Sequence, residues 1–486
     1  MMKRIPLICL TLLVMALHAM AQSAEIQYLS GTGSDDTVNW QFSVPPAVMP
    51  VNGRRSPCPP AGNYKALVNM TTGSQKIVSV EKSAVCINIV FRYLLHGKEK
   101  SEHRFEGVMT DATVKVNGVS AGPTHRGAFY AFKYDISALL QYGSSKNLLE
   151  VTVAKHSANE SVNAAERRAD FWLFGGIFRP VLLEALPQQH IEMLKVNAGA
   201  DGVLHADMQL NTSSATQITM QLYDKDLHKV GGLQTTPVHG ASLQLKAKYE
   251  GLRLWSAESP TLYTAEFSLR DNNKVIHTIR QRVGFRTITL KQRDGIYVNG
   301  VQMKFKGVNR HSFRPESGRT TSRTISIEDV LLIKEMNMNA VRMSHYPPDG
   351  HFLDVCDSLG LYVMDELAGW HGNYDTETGT GLVKEMITHD VNHPSVIMWA
   401  NGNEGGHNKA LDHLFPELDP QQRPVVHPWQ LFNGIETQHY REYNYGIANY
   451  ENGKEIVMPT EFLHGQFDGG HGAGLEDYWK RCGTIH

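Results

Sequence analysis

Two stretches of this chain bring an apolar run to a terminal carboxylate. VIMWANGNEGGHN (396–408) passes through an oily segment and stops on Glu404, wrapped in asparagine and glycine, and EIVMPTE (455–461) delivers Glu461 in the same way. Two carboxyl groups facing one pocket can cleave a glycosidic bond. One, protonated near neutral pH, gives its proton to the departing oxygen while the other, ionised, attacks; a separation of about 5 Å gives retention through a covalent intermediate. A single glutamate at a strand end is more often a solvated or ion-paired group, so the reading depends on what surrounds the two. Other polar residues end neighbouring apolar runs: His311, His345, Glu366, His427 and Tyr440.

The elements that would carry these residues begin after Gly284. KFKGVNRH, SIEDVLLIKEMN, NAVRMSH, DGHFLDVCDSLG and LYVMDE read as strand, helix, strand, helix, strand. That alternation predicts parallel β/α units. Within SIEDVLLIKEM, Ile327, Val330, Leu331 and Lys334 follow helical spacing, with Ser326 as the expected N-cap. Further strands are expected at VIMWANGNE, RPVVHPW, IETQHY and EIVMPTE, which makes seven where a closed (β/α)₈ barrel has eight. In such a barrel the strand C-termini share one face, where active sites form.

Upstream the pattern is β throughout. From 22 to 187 short runs are broken by turns, and TVKVNG closes an alternating strand with Asn117-Gly118, a hairpin signal. From 188 to 286, VLHADMQL, QITMQLYD, SLQLKAKY and YTAEFSLR are spaced as in a small immunoglobulin-like sandwich. A chain of 486 residues needs several cores. Lys plus Arg (47) nearly cancels Asp plus Glu (49), so nothing marks it for nucleic acid.

The first residues place Lys3 and Arg4 before an apolar run from Ile5 to Leu17 and then Ala19-Met20-Ala21, the form of a signal peptide over 1–21. The run is shorter than the roughly 20 residues of a membrane span. Export to the periplasm or medium is expected, with no membrane attachment after signal removal. Four scattered cysteines then remain, Cys58, Cys86, Cys356 and Cys482, which do not make a disulfide framework; one Cys58–Cys86 bridge stays open as an alternative.

Seven motifs resemble, in order, those of glycoside hydrolase family 2, the group containing bacterial β-galactosidase and β-glucuronidase. They are DFWLFGGIFRP (170–180), VGFRTITL (283–290), KGVNRHSFRPESG (306–318), NAVRMSHYPP (339–348), GLYVMDE (360–366), NHPSVIMWANGNEGGH (392–407) and PTEFLHG (459–465). The resemblance implies a jelly-roll, sugar-binding sandwich (22–187), an immunoglobulin-like domain (188–286) and a TIM-barrel catalytic domain (287–486). It makes Glu404 the general acid/base and Glu461 the nucleophile. Asn403 would bond the sugar 2-hydroxyl. Arg342 and Tyr440 would hold the nucleophile ionised and oriented. His311, His345 and His464 would line the sugar pocket, and Asp170 would reach from the sandwich to the terminal sugar and favour exo action.

Two departures shape the expectations. Where magnesium-dependent galactosidases carry Glu-x-His after the DE motif, DELAGWHG keeps His371 but has Gly369 near the carboxylate position. No metal and no cofactor is therefore expected; His371 remains a sugar contact, and Trp370 either stacks on sugar or packs. After Glu461 the chain ends at His486 without a segment matching the eighth strand, so an incomplete barrel is expected. The resulting reading is an exo-acting retaining β-glycosidase of the β-galactosidase type acting on an oligosaccharide, with β-glucuronidase, or an inactive carbohydrate-binding remnant, as its competitors. The sequence is compatible with a homo-oligomer and does not specify one.

Overall fold

The computed structural model describes residues 23–43, 62–66, 84–93, 100–169, 171–440 and 454–462. The expected signal peptide, Cys58, Cys482, Asp170 and His464 lie outside the described residues. Two sheets form the first layer. Four strands, Glu25–Tyr28, Val181–Leu186, Lys100–Phe105 and Phe132–Asp135, make one; the other is built on Ala84–Arg92, Lys146–Ala154 and Asp111–Val116. Lys146–Ala154 buries Asn147, Leu149, Val151 and Val153 and turns their neighbours outward, the period-two pattern of a strand with one face on a core. The Asn117-Gly118 turn joins Asp111–Val116 to Val119–Ser120, with Val116 opposite Val119. Both turn residues have φ > 0 (53° and 81°), as a tight hairpin demands.

The second sandwich packs a three-stranded sheet (His190–Ala198, Val203–Asn211, Ser242–Lys248) on a four-stranded one (Lys229–Pro237, Gln217–Tyr223, Tyr263–Asp271, Lys274–Val283). Its core includes Leu204, Met220, Leu245 and Phe267.

The third unit carries a parallel sheet of five strands: Gly307–Asn309, Ala340–Arg342, Tyr362–Trp370, Val396–Asn403 and Val425–Val426. Every residue of Val396–Asn403 is buried, as expected of a strand covered on both faces. The last two expected strands, Ile435–Glu436 and Ile456–Val457, pair in parallel within a separate small sheet, where Leu431–Phe432 forms a hairpin with the former. Helices Arg323–Glu335, Gly350–Leu359 and Thr376–Asp390 connect the parallel strands.

The first of these helices begins earlier than its sequence suggests. Ser322, not Ser326, caps it, its hydroxyl accepting from the Ile325 amide at 3.3 Å. Ser326 is a buried interior residue whose hydroxyl bonds His351 Nδ1 at 2.8 Å. The buried face uses Val330 and Ile333, while Leu331, expected inward, is 46% exposed.

The units are bonded to one another. Lys195 Nζ donates to Leu418 O (2.6 Å) and Arg286 to Val396 O (2.7 Å), joining the second sandwich to the third unit. His389 lies between Asp390 (2.5 Å) beside it and Glu106 (3.0 Å) of the first sandwich. Among the described residues no helix is long and apolar enough to cross a membrane.

Candidate active site

Glu404 is positioned by the turn that ends Val396–Asn403. Gly402 (φ 72°) and Glu404 (φ 42°) both lie in the left-handed region, and the Gly406 amide donates to Asn403 O at 2.7 Å. A Cβ on Gly402 would stand 2.1 Å from Gly406 O, so only glycine lets the chain fold back this closely. His407 braces the turn, with Nδ1 2.6 Å from Asn401 O and Nε2 3.2 Å from the Gly405 amide. Burial pushes its imidazole down to about 4, so it stays neutral and can use one nitrogen as donor and the other as acceptor.

Glu461 follows the strand Ile456–Val457. Asn309, at the end of the first barrel strand, donates from Nδ2 to Thr460 O (3.1 Å), and the Tyr440 amide donates to Glu461 O (3.0 Å). The residue is only 6% exposed. Arg342 Nη1 donates to Oε1 at 2.6 Å, and the Tyr440 hydroxyl donates to Oε2. Burial would raise this carboxyl, but Arg342 first, then His439 and the Tyr440 hydroxyl, hold it down at about 2.

Arg342 ends its own strand and spends its remaining donors on the same cluster. Nε bonds Glu366 Oε2 (2.7 Å), and Nη2 bonds Asn403 Oδ1 (2.7 Å) and lies 3.2 Å from His345 Nδ1. With its oxygen taken by the guanidinium, Asn403 keeps Nδ2 as a buried donor without a protein partner among the described residues. A ligand hydroxyl would satisfy it. Glu366, fully buried, also lies 3.0 Å from His345 Nδ1, and burial pushes it up to about 7 against the pull of Arg342.

One carboxylate oxygen each from Glu404 and Glu461 and one nitrogen of His439 all lie within 4.8 Å of one another. His439 Nδ1 is 2.9 Å from Glu404 Oε1 and 3.7 Å from Glu461 Oε1, while Nε2 is 2.8 Å from Thr460 Oγ1. The separation suits a shared anomeric carbon.

The remaining predicted residues surround this pair. His311 is 3.0 Å from the Tyr346 hydroxyl and packs beside Phe171 and His345; burial, then His345 and Arg319, push it down to about 3. Burial and Arg342 push His345 well below its ordinary value. Both are neutral imidazoles. His371 Nε2 lies 3.6 Å from Glu404 Oε2 at the open side of the site. Trp370 points inward, edge-on to His345 at 4.6 Å and near Phe171. The structure thus gathers Glu404, Glu461, Arg342, His311, His345, His371, Asn403 and Tyr440 in one place.

The sequence reading falls short at three residues. Glu366 ends no strand but sits inside Tyr362–Trp370, and the apolar run around it was the only sign of its burial. His439, one residue before Tyr440, is not singled out by any motif in the sequence, yet it lies against both carboxylates. His427, read as another strand-end site residue, is instead packed between His407 and Phe432 and bonded to Asp412 at 2.8 Å.

A side chain at Gly369 is excluded by the same turn, since its Cβ would meet Gly406 O at 2.4 Å. Beyond the Glu404/His439/Glu461 cluster, two groups of described residues have metal-like spacing, Asp224/Asp226/His228 and Asp354/Asp357/His393. The second is already internally paired, His393 with Asp357 at 2.6 Å and Asp354 with Arg282.

Residues 189–286 match the family model of glycosyl hydrolases family 2, and residues 288–431 match the model of that family's TIM barrel domain. A putative β-glucuronidase of Formosa agariphila is 28% identical over 414 residues, covering 76% of this chain and 48% of the relative. A β-galactosidase of Priestia megaterium is 32% identical over 379 residues, covering 70% and 35% respectively. The chain thus spans about half, or less, of the length of these curated relatives. A Bifidobacterium dentium β-glucuronidase structure, in complex with coumarin-3-O-glucuronide, superposes with a TM-score of 0.75 at 21% identity over 96% of this chain and 89% of that one, which establishes a shared fold. With both domain models falling in order along one chain of sandwiches and barrel, the protein belongs to glycoside hydrolase family 2.

Proposed function

We propose that this protein is an exported, exo-acting retaining β-glycosidase of the β-galactosidase type that releases terminal sugars from oligosaccharides. The observation that carries the reading is the pair Glu404 and Glu461, with oxygens within 4.8 Å of one another in unequal surroundings. Glu461, held ionised, attacks the anomeric carbon as Glu404 gives its proton to the glycosidic oxygen; the C–O bond breaks and the leaving group departs as an alcohol. Glu404, now a carboxylate, takes a proton from water, whose oxygen displaces Glu461 and restores both groups.

Asn403 Nδ2 is suited to the 2-hydroxyl, where a bond strengthens as positive charge develops at the ring. Neutral His311 and His345 can serve other hydroxyls as donor or acceptor. Phe171, from the sandwich motif that also contains Asp170, packs against His311 and His345, and this approach of the sandwich to the site supports exo action. Asp170 and His464 are assigned by motif alone, as sugar contacts. The jelly-roll character of the first sandwich belongs to this reading as well, as does the signal peptide. Neither metal nor cofactor is required by it.

A β-glucuronidase is the second reading, favoured by the name of the Formosa relative. Assaying 4-nitrophenyl β-galactoside beside the β-glucuronide separates them: a higher kcat/KM on the galactoside is expected, and preference for the glucuronide overturns the galactosidase choice. Proton NMR of the first product should show the β-anomer. An α-anomer rules out double displacement.

A further inference from the structure

Glu404 presents its two oxygens to different surroundings. Oε1 faces His439 and, beside it, Glu461, whereas Oε2 is nearest His371. His371 is 59% exposed at its side chain, and its ring lies 6.1 Å from that of Trp429, 41% exposed, with the planes at 74°.

Both residues are held in the left-handed region, His371 at φ 56° and Trp429 at φ 83°. For a bulky aromatic residue that is a true outlier, and such strain persists only where neighbours enforce it. Here they do. The Trp429 amide donates to Thr437 O (3.2 Å), the next amide donates to His427 O (2.9 Å), and Gly372 and Trp370 exchange backbone bonds across His371. Fixing an exposed indole against His371, itself next to Glu404, at a cost in backbone strain and apolar exposure, calls for a ligand that covers it.

We propose that Trp429 and His371 form the leaving-group subsite and that it takes the pyranose ring of a sugar. The inference rests on the glycosidase reading above and specifies its substrate: whatever Glu404 protonates must leave past the side chains next to it. The two walls match a sugar ring, with the indole face for its C–H face and the imidazole nitrogens for its hydroxyls. An aryl leaving group would instead favour a dry, wholly apolar pocket.

The test compares lactose, whose leaving group is a sugar, with β-galactosyl fluoride, whose leaving group is an ion too small to reach Trp429. The corresponding glucuronosyl pair is used if the enzyme prefers that sugar. Trp429→Ala should lower kcat/KM for the disaccharide relative to the fluoride by about tenfold or more, the scale of losing one stacked apolar face. Trp429→Phe should restore most of that ratio. An unchanged ratio in Trp429→Ala, or an equal loss in the phenylalanine variant, overturns the subsite while leaving the glycosidase reading standing. A wild-type chain that turns over neither member of either pair overturns both.

Discussion

Arg342 holds two buried carboxylates at once, and their protons respond in opposite ways. Glu461 is depressed from an ordinary 4.5 to about 2, so its pairing stabilises the fold fully above pH 4.5 and is lost as pH falls towards 2. Glu366 is raised to about 7 by burial, so its contribution is fullest below pH 4.5 and declines as pH rises through 7. Glu366→Gln, which keeps the shape and an acceptor for Arg342, should flatten the change in unfolding free energy between about pH 4.5 and 7, checked by urea titrations at several pH values. Arg342→Met would leave both carboxylates buried without a counter-charge. A loss of about 3–5 kcal/mol is expected in the same titrations, with turnover abolished. Glu404→Gln and Glu461→Gln should each retain the wild-type melting temperature to within a few degrees and lose at least about a thousandfold in kcat, measured on an aryl glycoside. Full activity in either would remove its assigned role.

At the scale of elements, the turn Gly402 to His407 decides where the acid points. Gly402→Ala must push Gly406 O away from a Cβ at 2.1 Å and adopt an unfavourable φ as well. It should therefore cost about 1–3 kcal/mol and most of the activity, because Glu404 rides on the displaced peptide. Calorimetry and kinetics on one preparation would separate the two losses. This turn shows what was legible beforehand: an apolar run, a carboxylate and flanking glycines identify a buried strand, its end and a sharp reversal. The same local logic recovered the Asn117-Gly118 hairpin and the order of the parallel strands. It failed where position depends on distant partners. Nothing near Ser322 distinguishes it from Ser326 until Thr321 and Asp349 are seen bonded beside it. His427 and His439 are similar in sequence, both ending short apolar or polar runs, yet one stacks on Phe432 and the other reaches both acids.

On the scale of the whole molecule, the first sandwich is joined to the barrel unit through a half-buried ionic contact. Burial would lower His389, but Asp390 and Glu106 raise it to about 10, so the charged pairing is complete below pH 6.5 and is lost as pH rises through 10. His389→Gln should make stability less sensitive to alkali over that window, read from melting temperatures between pH 6.5 and 10. The same junction carries Phe171 to His311 and His345, so a residue of the first sandwich packs directly against two histidines of the candidate site. Under the proposed function, the paired carboxylates and a support of the sugar-facing histidines are thereby housed in different modules. A descendant could acquire a new diet by rewriting one loop of the outer layer while its reactive machinery passed unaltered from parent to offspring.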